Sequence, residues 1–72
     1  MKLNYYADTD SLYIDLSSKT SSESKEIADG VTVDFDLDGH IVGIDIEHAS
    51  KILTLSELEL NSVPLESHKI RA

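Results

Sequence analysis

The chain has 72 residues, no cysteine and 14 acidic against 6 basic residues, which gives a formal charge of −8. This length allows one small domain with a thin core, and the lack of cysteine excludes disulfides and thiolate metal sites. The negative charge disfavours binding to nucleic acid and to anionic membranes, and it favours a basic protein partner or a cation.

The first half of the chain predicts two strands, a loop and an edge strand. Residues 3–6 form a short first strand, and residues 12–16 alternate apolar and polar side chains as a half-buried strand does. The Ser-rich residues 17–24 predict a surface loop. Residues 25–28 predict a short edge strand that ends at an Asp-Gly turn.

The most informative stretch is residues 31–46, where two alternating segments meet at Asp38-Gly39, a strong hairpin signal. If these two residues form the whole loop, the apolar side chains share one face, and a slip of one residue would mix the faces. The predicted apolar pairs are Leu37 with His40, Phe35 with Val42, Val33 with Ile44 and Val31 with Ile46. The other face pairs Thr32 with Asp45, Asp34 with Gly43 and Asp36 with Ile41.

The three glycines are too far apart in the sequence to cradle a phosphate group. Gly30 and Gly39 are expected in turns. Gly43 lies inside a predicted strand, which indicates a bulge or a close approach by another backbone.

After the hairpin, the spacing of apolar residues becomes helical, at Ala49, Ile52 and Leu53. Residues 48–60 therefore predict one or two short helical turns laid on the sheet. The alternative for residues 58–60 is a last strand.

Thr54 and Glu57 have the spacing of a capping box, which supports a helical start within this segment. The predicted fold class is α+β, with an antiparallel four- to five-stranded β-meander and a short C-terminal helical segment packed on one face. The single domain is predicted over residues 1–60, and residues 61–72 predict a loosely ordered tail.

An acidic ladder in the hairpin resembles the start of a calcium loop. Asp34, Asp36, Asp38 and Gly39 match Asp-x-Asp-x-Asp-Gly, with Asp45 at the twelfth position. A calcium loop coils around its ion, whereas these residues alternate with apolar ones that demand an extended strand. In that strand Asp34 and Asp36 share one face about 7 Å apart. The hairpin is therefore favoured over a calcium loop, with weak surface association of a cation as the alternative.

The three histidines, His40, His48 and His68, have no spacing that brings three or four zinc ligands together. The chain has no Gly-x-Ser-x-Gly elbow, and exposed carboxylates lack the burial that separates pKa values for acid–base catalysis. We therefore predict no catalytic, cofactor-binding or metal-binding residues, and we do not expect an enzyme.

Tyr5, Tyr6 and Tyr13 are three of the four aromatic residues. They could pair across strands at the edge of the core, or they could form an interface patch. A thin core and an exposed edge strand predict a homo-oligomer, most simply a homodimer through the edge strand or the tyrosines.

Several motifs together resemble domain-of-unknown-function family 2283, over residues 5–53. They are Asp10-Ser11-Leu12-Tyr13-Ile14, Gly30-Val31, Val33-Asp34-Phe35-Asp36-Leu37-Asp38-Gly39, Val42-Gly43-Ile44-Asp45-Ile46 and Ala49-Ser50. The resemblance implies a small prokaryotic protein without an assigned activity. Since some members are encoded beside small toxins, it also implies an antitoxin-like or partner-binding role. It supplies no catalytic residues.

The function predicted from the sequence is a small non-enzymatic protein-interaction module, with a basic protein as its partner. The alternative is a weak cation-binding protein or a metal-dependent enzyme that uses Asp34, Asp36 and Asp45 on the open sheet face. No apolar run approaches the roughly 20 residues of a membrane span, and no signal peptide is evident, so a cytoplasmic location is expected.

Overall fold

The computed structural model describes residues 1–65, which form five strands and one helical turn. The elements are β1 (Lys2–Tyr6), β2 (Ser11–Asp15), β3 (Glu23–Ala28), β4 (Val31–Phe35), β5 (Ile41–Ile46) and α1 (Ala49–Ile52). No helix in this described part is long and apolar enough to cross a membrane.

The strands form one antiparallel sheet in the order β1-β2-β5-β4-β3. This confirms the predicted antiparallel sheet of four to five strands. Strands β1 and β2 form one hairpin, and β3, β4 and β5 form two more. The connection after β2 crosses to the far edge of the sheet, where β3 lies. As a result, β5 lies in the centre of the sheet and pairs with β2. The central position of β5 brings the β4–β5 hairpin next to the N-terminal hairpin.

Side-chain alternation divides the sheet into an apolar face and a polar face. On the apolar face, Leu12 lies opposite Ile46, and Ile44 lies between Ile14 and Val33. The core is thin, as the short chain predicts, and its buried apolar residues are Leu12, Val33, Val42, Ile46 and Ala49.

The register of the β4–β5 hairpin is partly as predicted. The predicted pairs from Val31–Ile46 to Asp34–Gly43 are confirmed, but Phe35 lies opposite Ile41, so its predicted pairing with Val42 is wrong. The register shifts between Asp34 and Phe35. Val42 is therefore the extra residue of a bulge beside Gly43, as the glycine indicated.

The loop explains this shift. The loop has three residues, not two, because the Asp36 N–H donates to the His40 carbonyl at 2.9 Å. Pairing next to the loop is therefore displaced by one residue from the predicted register. The bulge at Val42 restores the predicted register from the Asp34–Gly43 pair onwards. Leu37 lies in the loop with 90% of its surface exposed, so the predicted pair of Leu37 with His40 on the apolar face is wrong.

The C-terminal segment is less regular than predicted. The helix is the single turn α1, and Leu53 ends it in an extended conformation with φ −115° and ψ 153°. Thr54 does not start a helix, since a turn follows it, and residues 58–60 are not a strand. The fold is therefore mostly β with one short helix. Within the predicted tail, residues 61–65 form no helix or strand, and the remainder lies outside the described residues.

Candidate functional site

The turn between β4 and β5 gathers three side chains that are able to bind a metal ion. One ligand atom from each of Asp36, Asp38 and His40 lies within 4.8 Å of the other two. The Gly39 N–H donates to the Asp36 carbonyl at 3.1 Å, and Gly39 has φ 80°. Glycine adopts this left-handed conformation without steric cost, and it is the residue that a three-residue hairpin loop requires at this position.

The Asp36 carboxylate organises this turn. Its Oδ1 accepts the N–H groups of Asp38 and His40, each at 2.9 Å, and its side chain is only 6% exposed. These hydrogen bonds, that from His40 most strongly, lower the pKa of Asp36. Within the described part of the chain its Oδ2 is buried without a hydrogen-bond partner, 3.7 Å from His40 Nδ1. One carboxylate oxygen therefore holds the turn while the other faces the imidazole.

A second group of hydrogen-bonded side chains lies on the polar face of the sheet. The Tyr13 hydroxyl donates to Asp34 Oδ2 at 2.7 Å, and the Ser24 hydroxyl donates to Asp34 Oδ1 at 2.6 Å. Donation to the Asp34 carboxylate is the main reason that the pKa of Tyr13 is raised to about 12. The end of the Tyr13 ring occupies the space that a Cβ at Gly43 would need. Both oxygens of Asp34 are thus engaged in linking β2, β3 and β4.

A third group of hydrogen bonds attaches α1 to the turn between β1 and β2. Asp10 accepts the Ala49 N–H on its carbonyl at 2.8 Å, the Ser50 N–H on Oδ1 at 3.1 Å and the Ser50 hydroxyl on Oδ2 at 2.7 Å. The Tyr5 hydroxyl donates to Oδ1 at 2.7 Å. Asp10 therefore caps a helix that lies 40 residues away in the sequence, whereas the adjacent His48 makes no side-chain cap.

An apolar groove of about 750 Å³ lies between the sheet and the segment that follows α1. Its apolar lining comes from strands β1 and β2 and from the C-terminal segment, namely Leu3, Tyr5, Leu12, Leu53, Leu55 and Leu58. Leu58 is 64% exposed and Leu3 is 48% exposed. The groove is therefore an open surface that a partner could reach.

A family model described as a protein of unknown function, DUF2283, matches residues 2–50. The chain belongs to this family. No curated protein and no solved structure matches the chain.

The DUF2283 match has a structural meaning, because it covers all five strands and ends at Ser50. The Asp10–Ser50 cap therefore lies at the limit of the matched region. The groove residues Leu53, Leu55 and Leu58 lie beyond it. The sheet and its cap constitute the family domain, and the groove is completed by residues that follow.

The residues of the alternative metal or enzyme hypothesis do not form one cluster. Asp34 accepts hydrogen bonds from Tyr13 and Ser24. Asp36 lies in the turn between β4 and β5, whereas Asp45 lies within β5, opposite Thr32. The turn instead joins Asp36 to His40, which the sequence placed on the solvated surface. His68 lies outside the described residues.

The tyrosines are divided between the two faces of the sheet. The register places Tyr5 opposite Leu12 on the apolar face and Tyr6 opposite Ser11 on the polar face, together with Tyr13. The three tyrosines are therefore not one patch. The contact between Asp10 and Ser50 was not predicted from the sequence, since no local pattern joins residues so far apart.

Proposed function

We propose that this DUF2283 protein is a small non-enzymatic interaction module that binds a basic protein partner. The observation that carries the proposal is the open apolar groove beside β1, with Leu3 and Leu58 about half or more exposed. Contiguous apolar surface on a small domain commonly marks a binding site for another protein. An aliphatic or aromatic side chain of the partner would occupy the groove.

The charge of the chain supports a basic partner. Residues 53–65 carry Glu57 and Glu59 but no Lys or Arg, and the whole chain has a formal charge of −8. A positively charged partner would be steered towards this surface, and salt would weaken the attraction. A basic toxin is the form of partner that the family resemblance suggests, and the prokaryotic cytoplasm is the setting that we propose for this interaction.

The enzyme alternative has less support from the described geometry. A general base must direct a carboxylate oxygen at its substrate, and the oxygens of Asp34 are instead directed at Tyr13 and Ser24, whose hydroxyls donate to them. Asp45 lies on the same face without a buried pocket around it, since it is only half-buried on an open sheet. Neither position offers the enclosed setting in which carboxylate pKa values separate.

The groove proposal predicts that replacing Leu55 and Leu58 by Asn weakens partner binding about 10- to 30-fold, as expected for loss of two apolar anchors. The partner would be isolated with the tagged chain from its native cell, and its dissociation constant would then be measured with purified proteins at two salt concentrations. Higher salt should weaken binding further.

Leu37→Asn is the matched control for this experiment. Leu37 is 90% exposed at the tip of the β4–β5 hairpin and does not line the groove. The Leu37→Asn variant should therefore bind the partner with the affinity of the wild type. Equal loss of affinity in the control and the groove variant, or tighter binding at high salt, would contradict the proposal.

We also propose that the chain forms a homodimer through the β1 edge. Within residues 1–65 neither outer strand is paired on its outer edge, but β3 carries Glu23, Lys25 and Glu26 and a bulge, which discourage pairing with another chain. Strand β1 instead exposes Leu3, Tyr5 and Tyr6. Sedimentation at micromolar concentration should give twice the chain mass of 8.0 kDa.

The dimer has its own discriminating variant. Tyr6→Lys adds a charge to the β1 edge and should shift the sedimenting species to the monomer. Lys25→Glu on β3 should not. A wild-type chain that sediments only as a monomer would disprove self-association.

A further inference from the structure

We propose that the turn between β4 and β5 binds a divalent transition-metal ion of the zinc type, held by Asp36, Asp38 and His40. This site is separate from the apolar groove, and its existence does not depend on the proposed protein partner. No metal-binding residues were predicted here from the sequence, because an extended strand holds alternate carboxylates about 7 Å apart on one face instead of coiling them around an ion. The three-residue loop brings them back together.

The buried carboxylate of Asp36 is the observation that points to a cation. Its Oδ1 is fully used by two backbone N–H groups, and its Oδ2 is buried with no hydrogen-bond partner among residues 1–65. A buried acceptor without a partner is costly and uncommon in folded proteins. A metal ion at Oδ2 would satisfy it.

The position of His40 supplies the second ligand. Asp36 Oδ2 and His40 Nδ1 are 3.7 Å apart. Two ligands of a tetrahedral zinc ion with bonds near 2.05 Å lie about 3.3 Å apart, so the observed pair is only slightly too open. The His40 side chain is 76% exposed and is free to rotate into place.

Asp38 completes the set, because its carboxylate belongs to the same group of atoms within 4.8 Å. One imidazole and two carboxylates suit zinc and related transition metals. Calcium normally takes six to eight oxygen ligands, which this short turn does not supply. Three protein ligands leave one tetrahedral position for water.

Lys19 offers a competing explanation for the buried oxygen. It lines the same surface depression as Asp36 and Asp38, and its charge also stabilises the ionised Asp36. If a metal ion is the natural partner of Asp36, Lys19→Gln removes a repelling charge and should tighten metal binding. If Lys19 is the partner, the same substitution should lower the thermal stability of the metal-free chain, which would overturn the proposal.

The direct test is titration of the full 72-residue chain, freed of metal with a chelator, with zinc chloride alone in a calorimeter. We expect saturable binding of one ion per chain. His40→Gln and Asp38→Asn should each weaken zinc binding at least about tenfold. Even the loss of a residue that only hydrogen-bonds a metal ligand typically lowers metal affinity about 10- to 100-fold. Asp36 itself is left intact because it also holds the turn. Cobalt chloride should give a visible absorption band that zinc abolishes.

Control variants separate this site from the other imidazoles. His68→Gln and His48→Asn each remove one histidine, and Asn tolerates the left-handed conformation of residue 48, φ 54°. Both should bind zinc like the wild type. Unsaturable binding, binding unaffected by His40→Gln, or displacement of zinc by millimolar calcium would overturn the proposal.

Discussion

Gly43→Ala should destabilise the domain by about 1–3 kcal/mol, the range expected when added volume displaces a packed side chain and breaks its hydrogen bond. A Cβ at residue 43 would lie 2.7 Å from Cζ of Tyr13. The Tyr13 ring would have to move, and its hydroxyl would leave Asp34. Glycine within a strand is normally less stable than alanine, so this substitution would otherwise be expected to stabilise the domain. A loss of stability would therefore point to the displaced Tyr13 ring.

The cost should depend on Tyr13, which a double-mutant cycle can measure. In a Tyr13→Ala background the ring is absent, and Gly43→Ala should then have little effect or should stabilise the domain slightly. Urea denaturation gives each free energy of unfolding, provided that the slope stays constant across the variants. If the two substitutions were simply additive, the packing of Tyr13 over Gly43 would not be the cause.

The strands could be predicted from the sequence because alternation is a local signal. All five strands lie close to their predicted positions, and most of the register between β4 and β5 follows from matching apolar faces. The two-residue loop was the error. Asp38-Gly39 fits a two-residue loop and the end of a three-residue loop equally well, and the Asp36 carboxylate, which accepts two N–H groups, decides between them.

The candidate sites were harder to predict, since each joins residues by contacts that no local spacing encodes. The clustering of Asp36 with His40 depends on the loop length, and the Tyr13–Asp34 hydrogen bond depends on β5 lying between β2 and β4. The helical pattern after residue 48 was overestimated for a similar reason. Ala49 is fully buried, but the later apolar residues line an open groove instead of a helix face.

Asp10→Asn should lower the melting temperature by about 5 °C or more, because it weakens the cap that attaches α1 to the β1–β2 turn. Asn keeps one acceptor oxygen and tolerates the left-handed conformation of residue 10, φ 52°. It loses the charge and the second acceptor, which receives the Ser50 hydroxyl. The groove should loosen with it, since Leu53 and Leu55 follow directly after α1.

The pH dependence of this effect has a defined sign. Hydrogen bonds from Tyr5, and then from Ser50, lower the pKa of Asp10 below its ordinary value of 3.8. The stability that the ionised form contributes is therefore fully present above pH 3.8 and is lost as the pH falls through the lower folded-state pKa. The difference in melting temperature between wild type and Asp10→Asn should be constant near neutral pH and should shrink in acid. Asp8→Asn, an exposed carboxylate of the same turn, is the control for charge alone. A difference that persists unchanged below pH 3 would mean that Asp10 acts through its backbone conformation and not through its carboxylate.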